Sequence, residues 1–211
     1  MGSEADLLGK YFPLLGDDKV ALLLEFKELF IDWNAKVNMV SRKDTDHLLE
    51  RHILHSLAIA KVMEFKKESK ILDIGTGGGF PGLPLAILYP DSEFTLVDSI
   101  GKKIMVVQDI CEKLNIRNVT AIHQRAEKVK GKFDFVISRA VTRMNRFLPW
   151  TRGKFESKSI NDLPNGILYL KGGDLSEELA ETGRDYKLFS ISDFYDEEFF
   201  ETKKVVYISM K

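Results

Sequence analysis

Glycines at 75, 77, 78 and 79 follow the apolar run Ile71, Leu72 and Ile74, and Gly82 stands three residues further on. A strand that runs into side-chain-free backbone lets a ligand reach peptide N–H groups, and 81–88 beyond it has a helical pattern. Gly77, Gly79 and Gly82 fit G-x-G-x-x-G by spacing, the arrangement that sets a pyrophosphate at a helix N-terminus. Asp73, two places before the first glycine, argues against that ligand. A carboxylate there repels a pyrophosphate and attracts a cationic or amine-bearing group, which favours S-adenosylmethionine. A second buried-type strand, 94–98, ends on Asp98, placed to accept from ribose hydroxyls of either kind of nucleotide cofactor.

Later strand ends extend the same cleft. Gly75, Gly77, Phe80 and Asp98 belong to the first two; Gln124, Arg125, Ala126 and Glu127 follow the third, where a carboxylate or amide can bond an adenine edge. Arg139 stands at the fourth. Taken singly, Glu127 suits the start of a helix and Arg139 a salt bridge, but their shared position at strand ends favours function. His47, Arg51, His52 and His55 share one predicted helix, where the spacing lacks H-E-x-x-H and a third ligand, so a polar rim to the cleft is expected rather than a metal.

The chain must then build elements that bring these residues together. Leu23, Phe26, Phe30, Trp33 and Val37 recur three or four apart and predict a helix over 20–37; a second starts near Asp44 or Thr45 and reaches about Met63. These form an N-terminal helical cap, 1–69, with the charged stretch 64–69 leading into the main domain, 70–211. From Lys70, strands predicted at 71–75, 94–98, 118–123, 133–138 and 166–171 alternate with helices, the clearest over 102–115. Two more, 186–192 and 205–210, are joined by a helix-free acidic loop and so should pair antiparallel. The expected fold is α/β, a Rossmann-like seven-stranded sheet of the S-adenosylmethionine-dependent methyltransferase type. A dehydrogenase would need a second half and a substrate domain that 211 residues do not comfortably hold.

Composition narrows the class. Hydrophobic residues make up 44% and charged ones 30%, as expected of a globular protein with a real core, and no apolar run approaches the ~20 residues of a membrane span. Residues 1–16 lack the basic and apolar regions of a signal peptide, and Asp6 stands where a myristoylation signal opening on Met1 and Gly2 needs Ser or Thr, so a cytoplasmic location is expected. The lone Cys111 excludes an intrachain disulfide and is expected to pack.

The net charge of −1 argues against a globally basic nucleic-acid binder, yet the charges segregate. Arg139, Arg143, Arg146, Arg152, Lys154 and Lys158 fall together, and Asp193, Asp196, Glu197, Glu198 and Glu201 form an acidic cluster. Most such runs are solvated faces. This basic run, however, begins at the mouth of the cleft and includes Trp150, and phosphate-pairing cations beside a stacking ring suit RNA, although Trp150 itself is expected in the core. Lys171, ending the fifth strand, adds a cation at the same edge.

Nearly end to end, the chain resembles the bacterial RsmG (GidB) family of ribosomal RNA guanine-N7 methyltransferases. Trp33, Asn34 and Asn38 carry the resemblance in the cap, with the run from Arg51 to Leu54, Asp73 to Gly77, Phe80 to Gly82, Leu96 to Ser99, Ala126 and Glu127, Ile137 to Ala140, and Leu170 to Gly172. It implies that Gly75, Phe80, Ala126, Glu127 and Arg139 contact S-adenosylmethionine, with Asp98 at its ribose, and that the partner is ribosomal RNA or the small ribosomal subunit. His55 departs from the family, which usually has Asp in R-H-x-L-D-S, and this questions any role that needs a carboxylate there.

The implied reaction also explains the missing catalytic dyad. Guanine N7 has a free lone pair and no proton, so attack on a sulfonium methyl needs alignment and little acid or base help. Arg139 is expected to orient the substrate at the cleft mouth, with Arg143, Arg146 and Lys171 on the RNA. The target base must be unstacked, since side chains cannot read the A-form major groove. A monomer without membrane contacts is expected. The competing readings are a methyltransferase for a small molecule or protein, a nicotinamide-dependent reductase, and a non-catalytic RNA-binding module.

Overall fold

The computed structural model describes residues 3–210, without the side chain of Arg42; the myristoylation reading at Met1 and Gly2 lies outside the described residues. The chain opens with α1 (Glu4–Tyr11), α2 (Asp17–Val37) and the short α3 (Arg42–Thr45), followed by a π-helical stretch (Leu49–Leu54) that continues into α4 (His55–Val62). In α2, Leu23, Phe26 and Phe30 are buried, while the Trp33 indole Nε1 donates to Asp109 at 2.6 Å. The predicted single helix from about 44 to 63 is therefore broken. Asp44 and Thr45 do not start it; Ser41 caps α3 by accepting from the Asp44 amide, and Asp44 in turn accepts from the Ser41 hydroxyl.

Asn34 holds the turn between α2 and α3. Its side-chain oxygen accepts from the amides of Met39 and Val40 at 2.7 and 2.9 Å, and its amide nitrogen donates to the Val40 carbonyl and the Thr45 hydroxyl, each at 3.1 Å. Among the described residues those backbone groups have no other hydrogen-bond partner. We expect Asn34→Ala to cost ~2–4 kcal/mol in urea unfolding, several neutral hydrogen bonds being lost from a nearly closed site.

The sheet contains β1 (Lys70–Ile74), β2 (Glu93–Asp98), β3 (Val119–His123), β4 (Phe135–Arg139), β5 (Gly166–Gly172), β6 (Lys187–Ser190) and β7 (Lys203–Ser209). Their order is β3-β2-β1-β4-β5-β7-β6. The first five are parallel, and β7 pairs antiparallel with both β5 and β6. All seven predicted strands form, with no end shifted by more than two residues, and the antiparallel ending holds because 191–202 contains only short 3-10 turns.

Because side chains alternate across each strand, two cores form. Ile71, Leu96, Ile137, Leu168 and Val205 pack under the N-terminal helices together with α5 (Gly82–Leu88) and α6 (Gly101–Lys113). Leu72, Val97, Val136, Ile167 and Val206 face the other side, covered by α7 (Met144–Phe147), a 3-10 turn at Leu148–Thr151, and α8 (Ser176–Ala180). Neither α7 nor α8 is foreseen from the sequence. The strand order reverses at β1, with β2 on one side and β4 on the other, and ligands bind at such a switch point beyond the carboxyl ends of the strands.

Candidate active site

A cleft of about 820 Å³ opens at that switch point. Its walls include every residue that the sequence places at the cofactor, namely Gly75, Gly77, Phe80, Asp98, Ala126, Glu127 and Arg139. The glycine loop is bound to its neighbours through the backbone: the amides of Gly75 and Thr76 donate to the Val97 carbonyl at 2.8 and 3.1 Å. Gly77 has φ +58°, and a Cβ there would meet nothing within 4 Å, so the loop turns bare backbone to the cleft. At Gly78 the reason is close approach, since a Cβ would come within 2.3 Å of the Phe30 ring on α2.

Asp98 ties the end of β2 to this loop. One carboxylate oxygen accepts from the Gly77 amide at 3.0 Å and the other from Ile100 at 2.9 Å. Each oxygen keeps a lone pair, and the side chain lies at the cleft wall, so a vicinal diol fits there. Ala126 and Glu127 lie on a 3-10 turn (Ala126–Lys128) beside it, and the Glu127 side chain is exposed.

Asp73 does not face the ligand. It shares a sheet face with Ile71, and its Oδ2 accepts from the Gly82 amide at 2.9 Å, behind the glycine loop, while its Oδ1 has no partner. Fully closed from water, it buckles the loop to α5 and leaves the choice of ligand to the cleft wall. Burial pushes its carboxyl up to about 7, against the pull of the Thr76 side chain, the Gly82 amide and the Arg139 charge. With the folded value above the unfolded one, the native state holds a proton that the unfolded chain has lost. Stability should fall as pH rises from about 4 through 7, by roughly 1–4 kcal/mol. Urea unfolding at pH 5 and 8 checks this, and Asp73→Asn should remove that part of the slope.

Arg139, at the end of β4, reaches across to the π-helical stretch. Its Nη1 donates to the Arg51 carbonyl at 3.2 Å and its Nη2 to His52 Nδ1 at 2.8 Å, with the guanidinium over the Phe80 ring at 5.1 Å. Because arginine only donates, the His52 proton must be on Nε2. Burial and the Arg139 charge lower His52 to about 3, and His55 lies well below its usual value for the same reasons, so both rings are neutral at pH 7. Burial brings Arg139 down to about 10, and it stays charged. The remaining guanidinium donors have no carboxylate within 4.0 Å among the described residues.

The residues assigned to RNA separate. Lys171 lines the cleft but is held by Glu178 at 2.6 Å and by the Thr142 carbonyl, its side chain 9% exposed. Arg143 and Arg146 lie outside the cleft wall, and Arg143 pairs with Glu181 at 2.7 Å. Lys154 is buried, donating to the Val129 carbonyl at 2.6 Å, so 139–158 is not one solvated face. The cleft wall instead contains Arg51, Phe199 and Lys203, the two cations lying over the Phe199 ring at 5.5 and 4.6 Å. Sequence reasoning missed Phe199 and Lys203, which stand amid the acidic cluster and at the start of β7. No group of three metal-ligating side chains occurs among the described residues.

The sheet order, the antiparallel β7 and a cleft with a glycine loop, a diol acceptor and a guanidinium define an S-adenosylmethionine-dependent methyltransferase fold. A solved structure of such an enzyme from Aquifex aeolicus superposes with a TM-score of 0.53 at 14% identity, over 72% of this chain and 88% of its own. The family described as GidB, rRNA small subunit methyltransferase G, matches residues 19–204, and the chain belongs to that family. Ribosomal RNA small subunit methyltransferase G of Christiangramia forsetii is 56% identical over 206 residues, 98% of this chain and 97% of the relative. Its namesake in Bacteroides fragilis is 47% identical over 204 residues, 97% of this chain and 99% of the relative.

Proposed function

We propose that this enzyme transfers a methyl group from S-adenosylmethionine to N7 of a guanosine in small-subunit (16S) ribosomal RNA. The observation that carries the reading is the cleft at the β1/β4 switch point, where the diol acceptor Asp98, the bare loop at Gly77 and the Arg139 guanidinium share one wall. Gly75, Gly77, Phe80, Asp98, Ala126, Glu127 and Arg139 would hold the cofactor, Asp98 at the ribose and the free donors of Arg139 at its carboxylate. S-adenosylmethionine supplies a methyl group on a cationic sulfur. The N7 lone pair forms the new N–C bond as the S–C bond breaks, no proton moves, and no side chain is needed as a base. Burial and the Arg139 charge make His52 and His55 poor proton acceptors, which fits that requirement.

Arg51 and Lys203 would steer the RNA backbone at the cleft wall, while the cations of Arg143 and Lys171, paired with Glu181 and Glu178, contribute less unless the RNA displaces those carboxylates. Arg146, exposed beyond the cleft wall, would reach more distant phosphates. We further propose a cytoplasmic monomer, with residues 1–69 as a cap on the 70–211 domain; no described helix is long and apolar enough to cross a membrane. The test offers labelled S-adenosylmethionine with unmodified small subunits or with a metabolite mixture. Label should enter the subunits; label in the metabolites alone would mean a small-molecule enzyme, and none in either would favour a non-catalytic binding module.

A further inference from the structure

Trp150 lies in neither of the places that its neighbours in sequence suggest. It is half-buried, it lines the cleft, and it belongs to the 3-10 turn at Leu148–Thr151, which packs against the Ala126–Lys128 turn. Its indole packs with the buried group that contains Val97 and Ala126, at the ends of β2 and β3. Among the described residues the ring's only aromatic contact is with Phe147, at 5.9 Å and tilted by 58°, and the half-buried side chain forms part of the cleft wall. The indole N–H has no hydrogen-bond partner among the described residues, whereas that of Trp33 donates to Asp109.

A half-buried indole in the cleft wall, set against an apolar patch one strand beyond a diol acceptor, suits a flat heteroaromatic ring attached to a ribose. Asp98 fixes the sugar end, the Ala126–Lys128 turn supplies backbone amides at the ring edge, and the indole can cover a ring face. We infer that Trp150 closes the adenine end of the cleft and stacks on the adenine of S-adenosylmethionine. This rests on the cofactor site and not on the identity of the methyl acceptor, so it holds or fails separately from the RNA assignment. An RNA base is the competing occupant of the same ring, but the cleft cations proposed for the RNA, Arg51 and Lys203, lie over Phe199 and not over Trp150.

The chain has two tryptophans, and Trp33 is not part of the cleft wall, so intrinsic fluorescence reports on Trp150 once Trp33 is replaced. S-adenosylhomocysteine should quench the emission of the wild type and of Trp33→Phe, and leave that of Trp150→Phe unchanged. By calorimetry, Trp150→Ala should weaken S-adenosylhomocysteine about tenfold, as expected for loss of a stacking ring, and Trp150→Phe should recover most of that loss. Quenching that persists in Trp150→Phe, or calorimetric affinity unchanged in Trp150→Ala, overturns the inference. Weakened RNA binding with unchanged cofactor affinity overturns it too and gives Trp150 to the substrate. If Trp150→Ala fails to fold, the fluorescence of Trp33→Phe decides alone.

Discussion

Replacing Asp98 with alanine should weaken S-adenosylmethionine at least ~100-fold, because it removes two charge-assisted interactions at once, each worth roughly 1.5–3 kcal/mol. The carboxylate is the acceptor proposed for the ribose, and it also holds the Gly77 amide at 3.0 Å and the Ile100 amide at 2.9 Å. Without it the glycine loop loses its tie to β2, and two backbone donors at the cleft wall lose their partner. Asp98→Asn keeps one oxygen for a backbone amide but turns a donor towards the other, so the loss should be smaller, of order tenfold. Calorimetric titration measures both. Affinity within threefold of the wild type in Asp98→Ala would mean that the ribose is held elsewhere.

Arg139→Ala should lower kcat/KM by about 10²–10³ while the protein stays folded, the size of effect seen when one preorganised electrostatic contact is deleted. Arg139 is the group through which the end of β4, the π-helical stretch and Phe80 meet. Its loss strands His52 Nδ1 and frees the Arg51 carbonyl, but it also relieves the burial of a guanidinium without a contacting carboxylate. These oppose each other, and the net change in stability should be about 1–2 kcal/mol. Arg139→Lys keeps a charge but cannot span both acceptors with a planar fork, so it should fall between. Single-turnover kinetics with thermal unfolding separates the outcomes, and wild-type turnover in Arg139→Ala would remove it from the site.

Much of the fold is legible in the chain because its strands are short apolar runs at regular intervals, and because a helix-free return implies an antiparallel pair. The cofactor side is legible for a related reason, as residues at the ends of consecutive parallel strands must converge. The strand order is not written in any local pattern, nor is the face that Asp73 takes. Read by spacing, Asp73 looks towards a ligand; pleating turns it to the α5 side, where its partner is the Gly82 amide.

Charge is harder still. The basic run at 139–158 looks like one surface because the counter-ion of Arg143, Glu181, stands 38 residues on, at the end of a helix that the sequence does not announce. His52 is read as a rim residue, yet its partner is Arg139, 87 positions distant. His55, which stands where the family usually has a carboxylate, packs against Phe199 and Phe200 and is neutral, so that position here contributes an aromatic contact rather than a negative charge.

One cleft is proposed to bring a methyl donor to a guanine N7 of small-subunit RNA. Mass-spectrometric mapping of small-subunit RNA after incubation with the enzyme and S-adenosylmethionine tests it most directly. A single methyl group should be added on one guanosine, at N7. Methylation at a ribose hydroxyl, an exocyclic amine or a base other than guanine would contradict it; the first two acceptors carry a proton that has to leave, whereas attack by N7 moves none.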